Sequence, residues 1–141
     1  MLEKFIFYFD RFHNNRKAEE KAKETLKTIN STYQKLHDEM KYDTSELQFL
    51  IDSGEFLIHA RKNLKYTYVY GFFLDGEKQQ KEKDLFEFNQ AYFESNCEKL
   101  HELLEKKNTS EFFDNTKREM FYKYKQELID ITQATKKVIF F

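Results

Sequence analysis

The residues of this chain that could do chemistry lie close together near position 100. Glu98 and His101 are three residues apart, so on a helix they share one face and could both bind a metal ion. A di-iron site in a helical bundle needs two such Glu-x-x-His pairs and two further glutamates. The nearest second candidates lack the carboxylate or the spacing, and they are Gln34 with His37 and Glu55 with His59. We therefore predict no metal site and no cofactor in this segment.

Cys97 is the single cysteine of the chain, and it precedes His101 by about one helical turn. A cysteine nucleophile needs an exposed and electropositive environment. Phe93 and Leu100 instead lie on the same helical line, which predicts a buried thiol acting as a small apolar side chain. One cysteine also excludes an internal disulfide and a zinc module built from cysteines. With no glycine-rich phosphate loop and no preferred Ser/His/Asp order, we predict no catalytic residue.

Composition narrows the remaining classes of function and favours a helical fold. Charged residues make up 35% of the 141 residues, but the net charge is only −1, which argues against a nucleic-acid surface. The longest weakly polar run, residues 66–74, is too short to span a bilayer, so no membrane partner is expected. The sequence favours a reducing compartment, the cytosol or the nucleus. The chain has no proline and three glycines, which favours long helices.

The element most able to organise these helices is the stretch around Arg61. Its helical line alternates steps of three and four residues, which is the pattern of a buried seam. That line consists of Leu47, Leu50, Gly54, Leu57, Arg61, Leu64, Tyr68 and Gly71. A buried Arg61 must find a carboxylate or several carbonyls, and Glu87, Glu94 and Glu98 are its candidate partners. The two glycines would let another backbone approach closely.

The whole pattern predicts an all-α fold, a single domain over residues 1–141. Four long helices are expected at roughly 2–41, 44–74, 79–106 and 109–139, and their short connections make an elongated antiparallel bundle. Asp43-Thr-Ser-Glu46 and Asn108-Thr-Ser-Glu111 resemble capping boxes, and Asp75-Gly76 offers a helix stop.

Residues 13–23 are almost wholly polar, which predicts a solvated stretch of the first helix or a partner surface. The inward line of the third helix is Phe86, Gln90, Phe93, Cys97, Leu100 and Leu104. That of the fourth is Phe113, Met120, Tyr124, Leu128, Ile131, Thr135 and Val138.

An ordered set of motifs along this pattern resembles a known family. The set comprises Gln48-Phe49-Leu50, Arg61, Tyr66-Thr67-Tyr68-Val69, Phe86-Glu87 and Gln90-Ala91. It is similar to the Ariadne domain, the helical C-terminal region of Ariadne-type RING-between-RING (RBR) E3 ubiquitin ligases. The resemblance is sharpest over roughly residues 42–100. It marks Arg61, Tyr66, Tyr68, Phe86 and Gln90 as structural motif residues.

The resemblance implies a regulatory, non-catalytic domain in the ubiquitin conjugation pathway. In the family this domain folds back on Rcat, the catalytic RING-like module, and inhibits the ligase until a partner such as a neddylated cullin–RING ligase releases it. A glutamate of the third helix contributes to that protein–protein contact, and it corresponds to Glu98. The family also uses a Phe-Glu pair on the first helix. The corresponding place, near Lys21 to Lys23, has no such pair.

The family's zinc-binding RING-type modules have no counterpart in this sequence, so zinc is expected only outside this segment. The parent polypeptide, not this chain, would then be the ubiquitin transferase. The alternative is a free-standing helical bundle that serves as a scaffold or as a subunit of a larger assembly.

Overall fold

Residues 1–74, 79–106 and 109–138 are described by a computed structural model, and every regular element in them is helical. The long helices are α1 (Leu2–Met40), α2 (Thr44–Phe73), α3 (Gln80–Leu104) and α4 (Arg118–Lys136). Two 3₁₀ turns, Thr109–Phe113 and Asn115–Lys117, lead into α4. The predicted all-α bundle is confirmed.

Helices α1 and α2 form an antiparallel hairpin. Lys41 ends α1 with a left-handed φ of 59°, and His37 Nδ1 lies 2.8 Å from the carbonyl oxygen of Tyr42, across the turn. Close packing along the hairpin depends on Gly54, because a Cβ at this position would lie 2.8 Å from Leu26 Cδ1. The nearest neighbours of that Cβ would be side-chain atoms of Leu26 and Ile29, so Gly54 makes room for side chains of α1 and not for the close approach of a backbone that the sequence predicted.

The buried seam of α2 is also confirmed. All eight residues of the line from Leu47 to Gly71 are buried, and Arg61 is among them. The six residues predicted to face inward from α3 are buried as well. Residues spaced alternately three and four apart become buried because they form one stripe along the helix, and this stripe packs against the same neighbouring helices along its whole length.

The fourth helix begins later than predicted. The side chain of Asp114 accepts hydrogen bonds from the amide of Thr116 at 2.9 Å and from its hydroxyl group at 2.6 Å. This local turn competes with helix, so α4 starts only at Arg118. Within α4, Met120, predicted inward, is 42% exposed, because the buried line reaches Tyr124 by a step of three from the fully buried Phe121 and not by a step of four from Met120.

The predicted capping box at Asp43 is not formed through its side chain. Asp43 is the N-cap of α2, but only its backbone oxygen accepts, from the amide of Glu46 at 3.0 Å. The predicted stop at Asp75-Gly76, the Asn108 cap and residue 139 lie outside the described residues. Among the described helices, none combines the length and apolar character needed to cross a membrane.

Candidate interaction surface and its buried support

Arg61 lies at the meeting point of three helices. Its Nη1 donates a hydrogen bond to Asn15 Oδ1 of α1 at 3.2 Å, and Asn15 Nδ2 lies 3.4 Å from Glu94 Oε1 of α3. The predicted carboxylate partner is therefore reached through an amide, and within the described residues Arg61 forms no ion pair. Its Nε is buried without a hydrogen-bond partner. Within the described residues, the guanidinium group of Arg61 is thus held by its hydrogen bond to Asn15 and by the packing around it.

Tyr68 closes this network from two turns further along α2. Its hydroxyl group donates to Glu94 Oε2 at 2.7 Å. Burial, and then the hydrogen bond to Glu94, raise the pKa of Tyr68 well above its ordinary value. The phenol therefore stays protonated and donates to a carboxylate that also contacts α1, so that three helices are tied at one level.

Lys65 and Glu19 form a second buried contact between α1 and α2. Lys65 Nζ lies 2.8 Å from Glu19 Oε1, and both side chains are nearly inaccessible to solvent. Lys23 is a more distant partner of Glu19, at 3.8 Å. The sequence predicted that the polar stretch 13–23 is either solvated or a partner surface. Because Asn15 and Glu19 are buried, the stretch is not wholly solvated, and not all of it is free to contact a partner.

The other predicted motif residues have structural roles. Gln90 Nε2 donates to Thr67 Oγ1 at 3.0 Å, which links α3 to α2 inside the core. Phe86 is buried and contacts the ring of Tyr70, with centroids 5.1 Å apart. Tyr66 is different, because about half of it is exposed, with an edge contact to Phe12 and with Lys65 Nζ 4.9 Å from its ring centroid.

Glu98 is the predicted site residue that remains available. It is exposed on α3, and no hydrogen bond or ion pair links it to another described residue. Its helix carries a row of acidic side chains at helical spacings. The row comprises Asp84, Glu87, Glu94, Glu98, Glu102 and Glu105. Glu94 and Glu105 contact α1, so α3 is fixed against α1 on either side of Glu98.

His101 does not join Glu98 in a metal site. Its Nε2 lies 3.3 Å from Thr25 Oγ1 and 3.1 Å from Glu105 Oε1. Burial lowers the pKa of His101, and the neighbouring Glu105 carboxylate only partly opposes this shift. In the part of the chain that the structure describes, no three His, Cys, Asp or Glu side chains are grouped so as to hold a metal ion.

Cys97 is fully buried, as predicted from its apolar neighbours. Burial raises the pKa of its thiol to about 12, so almost no thiolate is present at neutral pH. The structure thus gives this thiol the packing role expected from the sequence.

The place that corresponds to the family's Phe-Glu pair is occupied by different chemistry. Ala22 is buried, while Lys21 is exposed and lies 3.5 Å from Glu105 across the α1–α3 interface. Glu19 is engaged by Lys65. This part of α1 offers neither an exposed aromatic ring nor a free Phe-Glu pair.

Comparison with known proteins shows which proteins the chain resembles. No model of a known protein family matches the chain. The chain is 30% identical over 136 residues to the probable E3 ubiquitin-protein ligase ARI8 of Arabidopsis thaliana, covering 96% of this chain and 24% of that protein. It is 32% identical over 126 residues to the E3 ubiquitin-protein ligase ariadne-1 of Drosophila melanogaster, covering 88% and 24%.

The chain is a relative of the ariadne-type E3 ubiquitin ligases. The probable E3 ubiquitin-protein ligase rbrA of Dictyostelium discoideum is similar as well, at 29% identity over 98% of this chain and 25% of that protein. The resemblance seen in the motifs is therefore confirmed along nearly the whole chain. The chain spans about a quarter of the length of these relatives, as expected for one region of such a ligase.

Proposed function

We propose that this chain is a regulatory helical domain of an RBR-type E3 ubiquitin ligase. The domain masks the catalytic Rcat module until a partner, such as a neddylated cullin–RING ligase, binds the detached state. The supporting observation is an exposed Glu98 that forms no hydrogen bond or ion pair within the described part of the chain, on a helix that Tyr68 joins to α2 through Glu94. The similarity to ariadne-type ligases supplies the context.

The first step of the mechanism is the contact itself. The carboxylate of Glu98 can pair with a cation or an amide donor of another module without losing a bond to any of the described residues. Because Glu94 and Glu105 fix α3 against α1, little ordering of this helix would oppose binding. Glu98 would therefore act as a preorganised contact, and the bulk of the bundle would exclude the ubiquitin-loaded partner from the masked cysteine.

The second step is release. A mask can be switched when a partner prefers the open state by enough free energy, and moving the balance from 1:99 to 99:1 takes about 5.5 kcal/mol. The absence of the family's Phe-Glu pair near Lys21 to Lys23 leaves fewer contacts in the closed state. We therefore expect a weaker mask than one that uses both sites.

The test requires the intact polypeptide. An antibody against this segment should detect a native protein several times heavier than 17.3 kDa, in which the zinc modules can then be sought. A native band at 17.3 kDa would exclude self-inhibition and favour the free-standing scaffold.

In the intact ligase, Glu98→Ala should raise ubiquitin transfer roughly tenfold, because losing one interfacial charged contact costs at least about 1.4 kcal/mol. Glu55→Ala is the matched control, since Glu55 is an exposed helical glutamate on α2. Transfer rates should be measured alongside thermal unfolding of both variants. Unchanged transfer in a normally folded Glu98→Ala ligase would rule out this contact.

A further inference from the structure

The first two turns of α1 carry an apolar stripe that the bundle leaves exposed. Leu2, Phe5, Ile6 and Phe9 follow the spacing i, i+3, i+4, i+7, and each is between 47% and 70% exposed. This spacing normally marks the face that a helix buries against neighbours. Tyr8 and Phe12, which lie nearer to α2, are partly buried instead.

Helix α2 presents a matching stripe beside it. Tyr66, Val69 and Phe73 are one turn apart, and each is between 41% and 71% exposed. Phe5 and Phe9 of the first stripe and Val69 and Phe73 of the second contribute to a groove of about 240 Å³, whose lining is aromatic except for Val69. That volume is roughly eight times the volume of one water molecule, so the groove has room for bulky side chains.

The groove is built from rings that already hold one another. Phe5 stacks on Phe9 with centroids 5.7 Å apart and meets Phe72 edge-on at 6.2 Å. Tyr8 contacts Tyr68, whose hydroxyl group is fixed by Glu94. A ligand entering this groove would meet preorganised walls, which lowers the ordering cost of binding.

One end of the groove is basic. Arg16 lies one turn beyond Phe12 on α1, and Lys62 lies one turn before Tyr66 on α2. Because the helices are antiparallel, both cations fall at the same end. Both are exposed, and neither forms a hydrogen bond or ion pair with another described residue. From Phe5 to Arg16 the surface extends roughly 16 Å, about three turns of helix.

We propose that this groove docks an amphipathic helix of another protein. The helix inserts bulky apolar side chains spaced three and four residues apart, and its carboxylates meet Arg16 and Lys62 at the basic end. An apolar groove between two parallel ridges is the usual receptor for such a helix. The charge of the flanking cations selects an acidic one. Glu98 is not part of this surface, since it is not among the residues that line the groove.

The binding probe is a fluorescein-labelled peptide of about four helical turns. It carries leucines at i, i+3, i+4 and i+7 and glutamates in one terminal turn, and a matched peptide carries lysines there. Fluorescence anisotropy with the 141-residue chain should show saturable binding of the acidic peptide and at least roughly tenfold weaker binding of the basic one. Equal binding of both peptides, or no binding of the acidic one, would overturn the proposal.

Variants test the two halves of the groove separately. Phe9→Ala should weaken the acidic peptide at least roughly tenfold, whereas Phe88→Ala, at an exposed phenylalanine of α3, should leave it unchanged. Arg16→Glu with Lys62→Glu should weaken it similarly and abolish its salt dependence, whereas Lys123→Glu on α4 should not. All these positions are exposed, so circular dichroism should show intact helices throughout.

Two other occupants would overturn the proposal if found. One is a second copy of the chain, revealed by concentration-dependent dimers in sedimentation that Phe9→Ala abolishes. The other is a lipid surface, revealed by co-sedimentation with vesicles of phosphatidylcholine and phosphatidylserine that Phe9→Ala abolishes. A chain that stays monomeric and free of vesicles while binding the acidic peptide supports the helix-docking groove.

Discussion

The two halves of α2 are held in place by opposite chemistry. Near its start, Phe49 joins an aromatic cluster in which Phe121 contacts Tyr42, Phe49 and Phe112 at centroid distances of 4.6 to 5.7 Å. Near its end, Arg61, Lys65 and Tyr68 are joined to α1 and α3 by hydrogen bonds and an ion pair. The first half of α2 thus packs through aromatic contacts, and the second half is joined to α1 and α3 by hydrogen bonds and an ion pair.

The difference separates stability from alignment. Apolar contact is non-directional, so the aromatic cluster stabilises the bundle in proportion to the area it buries. A buried charge instead needs its partner at one position, and a displacement leaves it uncompensated. We infer that the aromatic half supplies most of the stability, while the polar half fixes how α1 and α3 are set against α2, and hence where Glu98 is presented.

The largest expected effect is at the aromatic end. Phe121→Ala removes a fully buried ring and should lower the free energy of unfolding by about 3–5 kcal/mol. Guanidinium denaturation followed by circular dichroism measures this change. Tyr122→Ala, at the exposed neighbouring ring, is the control and should cost far less. Equal losses for the two variants would contradict the assignment of the core to Phe121.

The buried ion pair tests the polar end. Lys65→Met leaves Glu19 buried with only the more distant Lys23, and should cost about 3 kcal/mol. The double variant Glu19→Met with Lys65→Met should regain most of that loss, because no unpaired charge remains. Lys62→Met, at an exposed position, is the control for the substitution itself. A double variant as unstable as Lys65→Met alone would mean that the pair adds stability rather than alignment.

The smallest effect concerns Tyr68 and depends on pH. Tyr68→Phe removes the donor to Glu94 and should cost about 1–2 kcal/mol at neutral pH. Burial raises the pKa of Tyr68 from 10.0, so its contribution is complete below pH 10 and is lost as pH rises through the raised pKa.

The unfolding free energy should therefore fall more steeply above pH 10 in the native chain than in Tyr68→Phe, by up to about 1.4 kcal/mol per pH unit. Denaturation at several alkaline pH values measures the two slopes. Tyr66→Phe, at a half-exposed tyrosine of the same helix, is the control for the substitution itself. Identical slopes for Tyr68→Phe and the native chain would show that this phenol does not couple to folding.

Periodicity predicted the buried lines well, because burial on a helix follows from spacing alone. The seam from Leu47 to Gly71, including Arg61, is buried as its alternation of three and four predicts. The same method failed at Met120, since steps of three and four are both helical and Phe121 is buried instead, and it placed the start of the fourth helix too early, because the turn at Asp114 interrupts the helix. A side chain that bonds its own backbone can override a helical pattern over several residues.

The polar contacts were harder to predict. Asn15 and Glu19 lie in a stretch that reads as solvated, yet both are buried opposite Arg61 and Lys65. Each pair is separated by 46 residues in the chain, so no local spacing connects its members. The one signal in the sequence that such polar partners must exist is a cation at a position predicted to be buried.

By itself, the sequence determined the all-α class, the central seam, the buried thiol and the relationship to ariadne-type ligases. These depend on local periodicity and on residue order, which folding does not alter. Only the tertiary structure decided which polar residues meet, that Glu98 forms no hydrogen bond or ion pair with another described residue, and that rings of α1 and α2 line one groove. Each of these depends on how distant helices are set against one another, and that setting follows from the packing of the whole bundle.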